Sequence, residues 1–189
     1  VDGCAIAAIG YGFPQETDMK QLFSAIFLSL AALAGCKPET PVTRPDPVAL
    51  TRDVSGYFCG MIVFDHPGPK AQIHKQTGES PLWFPSVRDA IAYTMMPGEA
   101  IDIVAIYVTD MTGYRDWQNP PQHWILAKDA FFVIDSDQSS GMGVGETVPF
   151  STRKAANDYV GVHHGQVVSY QEIPQSYVLG GGDDPEVKS

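Results

Sequence analysis

Two stretches of this chain follow one template, and a template used twice limits the fold to a pair of like units. Gly78-Glu79 and then Phe84-Pro85-Ser86-Val87-Arg88-Asp89-Ala90 are echoed by Gly145-Glu146 and then Phe150-Ser151-Thr152-Arg153-Lys154-Ala155-Ala156. In the first, an aromatic strand end runs into Ser86, whose hydroxyl can accept from a free N–H of the following helical turn. Both copies also follow an apolar run that ends in Asp, at Asp65 and Asp135. The spacing is too long for a solenoid, so it reads as a duplicated supersecondary unit.

Between these marks the residue types predict the remaining elements. Residues 57–64 are aromatic and β-branched and stop at Asp65-His66-Pro67-Gly68-Pro69, which reads as a strand and then a turn. Further strands are expected at 71–75 and 82–84, then a helix capped by Ser86 with Val87, Ala90, Ile91 and Met95 on one face. Residues 101–109 alternate as a strand. A long loop with Trp117, Pro120 and Pro121 leads to 124–135, part of which is a strand. The glycine-rich stretch 139–145 precedes a strand at 147–150, a helix over about 151–160 and a closing strand at 166–170. The expected fold class is α+β: two related units, about 57–109 and 123–170, in one compact domain spanning 51–180.

The first fifty residues are of a different kind. Met19-Lys20-Gln21 and the apolar run 22–34 have the charged start and short apolar core of an export signal. That run closes on Leu33-Ala34-Gly35-Cys36, which resembles the lipobox of bacterial lipoproteins, so residues 19–35 are expected to be a signal peptide and Cys36 the lipidated residue. Residues 1–18, with Cys4 and the acidic Asp2, Glu16 and Asp18, fit no such leader and are read as an upstream extension. Residues 36–50, with Pro38, Pro41, Pro45 and Pro47, read as a tether, and 181–189 as a flexible acidic tail. A net charge of −10 argues against a nucleic-acid partner and for cations or basic protein faces.

With Cys36 assigned to lipid, Cys59 is the one thiol left to the expected domain, an unusual state for an exported protein. On a strand, the side chains of Cys59 and Met61 share a face, with α-carbons roughly 6 to 7 Å apart. Thiolate with thioether is a soft donor pair that suits Cu(I), which accepts low coordination numbers, better than zinc or magnesium. The same two residues also suit the buried face of a core strand. Third donors by position are His66, Met111 and the pair His163-His164; Met142, in the glycine-rich loop, is a thioether or a plain surface residue. His74 and His123 read as structural. No Gly-x-Ser-x-Gly, phosphate loop or dithiol motif is present.

Several separated motifs together resemble the NosL family, the lipoprotein accessory factors of nitrous oxide reductase. They are Phe58-Cys59-Gly60-Met61-Ile62-Val63, Asp65-His66-Pro67-Gly68-Pro69-Lys70-Ala71-Gln72-Ile73, Val108-Thr109-Asp110-Met111 with Trp117, and Ser140-Gly141-Met142-Gly143 followed by Pro149-Phe150-Ser151. The resemblance implies a fold of two related β-β-β-α units, similar to organomercurial lyase. It implies a non-enzymatic Cu(I) chaperone, lipid-anchored on the periplasmic face of a membrane, that serves nitrous oxide reductase and its membrane transporter complex. It also implies Cys59 and Met61 as metal ligands, with Met111 as third ligand and His66 as runner-up. Two alternatives remain at this level: a thiol-dependent enzyme using Cys59 as nucleophile, and an inert scaffold lipoprotein.

Overall fold

The computed structural model describes residues 44–77, 80–113 and 116–180. The expected extension, signal peptide, Cys36 and acidic tail lie outside these residues, as do Gly78 and Glu79 of the first repeat mark. The elements run β1 (Ala71–Lys75), β2 (Leu82–Phe84), α1 (Val87–Met95), β3 (Ile103–Thr109), β4 (Trp124–Leu126), β5 (Phe131–Ile134), β6 (Val148–Phe150), α2 (Arg153–His163), β7 (Gln166–Ser169) and α3 (Gln175–Leu179).

These strands form a four-stranded sheet of order β2-β1-β3-β4 and a three-stranded sheet of order β6-β5-β7, every pairing antiparallel. The duplication is visible in the register. The first residue of each central strand faces the Phe that ends its neighbour, Ala71 opposite Phe84 and Phe131 opposite Phe150. Two residues beyond each Phe stands the cap, Ser86 accepting from Asp89 N and Thr152 from Ala155 N. The next strand then returns to the free edge of the central one.

Each unit is therefore β-β-α-β, not the β-β-β-α that the resemblance implied. The expected first strand is the reason. Residues 57–64 form a turn, a single bridge between Ser55 and Ile62, and a 3₁₀ turn at Val63–Asp65. It follows that Asp65 and Asp135 are not equivalent: Asp135 follows the central strand β5, whereas Asp65 precedes β1. The segment 124–135 also divides in two. A 3₁₀ turn at Ala127–Asp129 carries the chain from β4 in the first sheet to β5 in the second.

The main core lies between the first sheet and α1, where Phe84, Ile73, Val87, Ile91 and Tyr93 are fully buried. Phe132 of β5 joins it, while its neighbour Val133 faces the opposite way, into a second core with Val148, Phe150 and Ala156 of α2. The period of two along β5 thus gives the second sheet two apolar faces, one on each unit. Packing begins ahead of Thr51. The Gln72 amide holds both backbone groups of Val48, at 2.8 and 3.0 Å, and Tyr107 Oη donates to Pro45 O at 2.8 Å.

Candidate metal centre

The Cys59 loop is built by two glycines. Gly60 N donates to Gly56 O and Gly56 N to Met61 O, each at 2.8 Å, closing a single turn over residues 56–61. Gly60 has φ +66°, a left-handed conformation that breaks the alternation of a strand and that a β-carbon disfavours. A β-carbon on Gly56 would stand 2.9 Å from Cys59 Sγ and 3.1 Å from Pro85 Cδ, so the thiol lies across Gly56 beside the start of α1. Cys59 is a free, partly exposed cysteine and Met61 is 44% exposed. Both sulfur residues belong to one tight turn, not to one strand face, and neither is core.

Aromatic packing fixes this loop to the first unit. The Tyr57 ring lies 5.3 Å from Tyr93 and Phe58 5.4 Å from Phe84, both edge-on, over residues that are themselves fully buried. Tyr57 N donates to Trp83 O at 2.8 Å. Tyr57 and Phe58 remain 46% and 47% exposed, so the thiol is flanked by open apolar surface.

The glycine-rich loop approaches from the second unit. His66, just after the 3₁₀ turn, packs its ring on Gly141, where a β-carbon would stand 2.7 Å from Nδ1. The next residue, Met142, is 41% exposed. The loop is closed by a Ser139–Gly145 bridge and pinned at its far end by Glu146. Glu146 Oε1 accepts from Ser86 Oγ at 3.1 Å, Arg88 N at 3.0 Å and Thr147 N at 2.8 Å. Arg88 also donates to Gly145 O at 3.1 Å. A fully buried carboxyl of the second unit thus holds the start of α1, next to Pro85, against which Gly56 of the Cys59 loop lies. Burial pushes this carboxyl up to about 7 against those hydrogen bonds.

The other sequence candidates go elsewhere. Met111 is 3% exposed and packs with Val133, Val148, Phe150 and Ala156; none of residues 55–66 belongs to that core. Its N–H donates to Pro149 O at 2.9 Å, the contact that draws it inward. His163 ends α2, stacked 4.3 Å from Tyr159, with Nδ1 2.9 Å from Asp137 Oδ1. His74 is buried and bonded to Gln72 Oε1 at 2.9 Å, and His123 lies 3.5 Å from Asp110. Among the described residues no three His, Cys, Asp or Glu side chains converge as a metal cage. Sequence reasoning missed Glu146 and Pro85 as parts of the site. The repeated Gly-Glu before each strand was the available signal for Glu146.

The NosL family profile matches residues 47–178, which include the loop and every element just described. The chain belongs to the NosL family. The "Copper-binding lipoprotein NosL" of Achromobacter cycloclastes is 39% identical over 159 residues, 83% of this chain and 82% of the relative. That of Stutzerimonas stutzeri is 30% identical over 146 residues, 76% and 75% of the two chains. The crystal structure of the copper chaperone NosL from Shewanella denitrificans superposes with a TM-score of 0.65 at 30% identity, covering 69% of this chain and 97% of that one. A mixed fold with two small antiparallel sheets is thus common to this NosL-family chain and a solved relative.

Proposed function

We propose that this chain is a Cu(I) chaperone. Cys59 and Met61 are its metal ligands, His66 supplies the third donor, and Met142 is the thioether that the glycine-rich loop can bring across. The observation that carries the reading is a partly exposed thiol and an exposed thioether on one tight turn, rimmed by Tyr57 and Phe58. An inert scaffold has no reason to leave these groups at the surface of an exported protein, where a bare thiol oxidises. The copper-binding names of the relatives support the metal, and the softness of the donors supports the Cu(I) state. The role is delivery, not catalysis. A site with few ligands, open to an incoming partner, releases copper by ligand exchange. We place the lipid on Cys36 and the domain at the periplasmic face of a membrane. The recipients are nitrous oxide reductase and its membrane transporter complex.

Cu(I) titration against a competing chelator tests this. The wild type is expected to bind one equivalent, Cys59→Ser to lose binding, and Met61→Leu and His66→Ala each to weaken it about tenfold or more. Met111→Leu is expected to bind as the wild type does. Unchanged affinity in Cys59→Ser would remove the chaperone reading.

A further inference from the structure

The structure holds a pocket that the copper reading does not use, lined by none of the proposed copper ligands. Its cavity of about 70 Å³ lies between Leu50, Phe64, Lys70, the loop 118–122 and Trp124. That is room for several water molecules, or for one small polar group with its carbon stem. The apolar walls are Leu50, Phe64 and the prolines Pro120 and Pro121.

Beside the mixed donors and acceptors of Thr109, Gln118, Asn119 and Gln122, two buried donors stand at this pocket. Trp124 Nε1 is buried with no hydrogen-bond partner among the described residues, and an indole N–H can only donate. Lys70 is 2% exposed, and its ammonium gives two of its three protons to Pro67 O at 3.1 Å and Gly68 O at 2.5 Å. The third has no carboxylate within salt-bridge distance among the described residues. The Arg52 guanidinium lies 4.0 Å over the ring of Phe64, one of the residues that line the cavity. In a chain of net charge −10, no Asp or Glu lines the cavity. An unpaired buried donor destabilises the fold, and a matching acceptor would offset that.

We infer that this pocket binds a small carboxylate, whose oxygens accept from the Trp124 indole and the Lys70 ammonium while its carbon stem lies against Leu50, Phe64 and the two prolines. The carboxylate is either free in solution or carried at the end of a polypeptide. Either source satisfies the same donors. The inference does not rest on copper: its ligand chemistry, residues and readout are separate.

The test is a two-dimensional NMR titration of the full chain, following the Trp124 indole N–H resonance. The probes are sodium acetate, sodium chloride at equal ionic strength, and a short peptide ending in a free carboxylate or in an amide. Acetate is expected to shift the resonance saturably at millimolar concentration, with chloride leaving it in place. Tighter binding of the free-acid peptide than of acetate, lost in the amide, identifies a polypeptide end; equal or weaker binding identifies a free acid. Lys70→Met is expected to weaken acetate at least tenfold, and Arg52→Gln, an exposed change that spares the fold, to weaken it about twofold to threefold. No saturable shift with either carboxylate, or an equal shift with chloride, overturns the inference in the wild-type protein alone.

Discussion

At the scale of single residues, the site depends on a backbone conformation as much as on its sulfurs. Gly60 has open space where a β-carbon would go, so its requirement is the positive φ and nothing steric. Gly60→Ala is therefore expected to cost about 1 kcal/mol, read as a lower urea midpoint at unchanged slope, and to weaken Cu(I) by relaxing the turn that sets Cys59 beside Met61. An unchanged midpoint would show that the turn is not strained. Glu146 has a different signature. Its carboxyl titrates near 7 in the fold against 4.5 as its ordinary value, because burial disfavours the charge and Asp89 adds to that. The folded state then holds the proton more tightly than the unfolded one. Stability from this group is complete below about pH 4.5 and is lost as pH rises to about 7, a change of roughly 3 kcal/mol. Glu146→Gln keeps an acceptor for Ser86, Arg88 and Thr147 but cannot ionise. Urea unfolding from pH 5 to 8 is expected to show the wild type losing stability relative to the variant across this window. A constant difference between the two would mean that the carboxyl does not titrate there.

At the scale of elements, the two units use the same parts at unequal cost. Thr152 caps α2 and does nothing else to the helix, accepting from Ala155 N at 3.2 Å, so Thr152→Ala is expected to cost about 1 kcal/mol. Ser86 caps α1 and also donates to Glu146, which already has one oxygen unpartnered. Ser86→Ala is expected to cost about 2 kcal/mol, and equal losses in the two variants would mean that the Glu146 contact adds nothing. The first two helices, the Ser86 cap and six of the seven strands were legible in the sequence within a residue or three, because each rests on local signals: a hydroxyl before an apolar-periodic run, or β-branched alternation; the short helix α3 was not expected. Residues 57–64 were not. Their aromatic and β-branched content is what a strand has, but it serves instead to seat Tyr57 and Phe58 on Phe84 and Tyr93, partners distant in sequence. The glycines at 56 and 60 decided the shape, and composition alone weighed against them. The place of β4 was likewise hidden, since the Ala127–Asp129 turn that sends the chain to a new sheet carries no glycine or proline. The sequence put Cys59 and Met61 close together and the structure places both on one exposed turn; the burial of Met111 was not legible, because an Asp-Met strand end reads alike whether it faces solvent or a core.

At the scale of the whole molecule, three links make the two units one cooperative body. Phe132 of the second sheet is buried in the main core, and Glu146 of the second unit holds the first turn of α1. Arg88 of α1 in turn donates to the backbone carbonyls of Tyr177 and of Gly180, reaching the last helix from the first. An event at the Cys59 loop, which touches Pro85 at the head of α1, is therefore transmitted to α2 through stability without any movement of α2. Ligand binding to the folded state alone adds about 2.7 kcal/mol when free ligand exceeds the dissociation constant a hundredfold. If the units open together, that increment protects both. Hydrogen exchange of the slowest amides of α1 and α2 is expected to give the same opening free energy in the metal-free protein. Cu(I) is expected to raise both by an equal amount, although every proposed ligand lies outside α2. Protection gained by α1 alone would mean that the units open separately, and that the Glu146 contact joins them in geometry but not in folding.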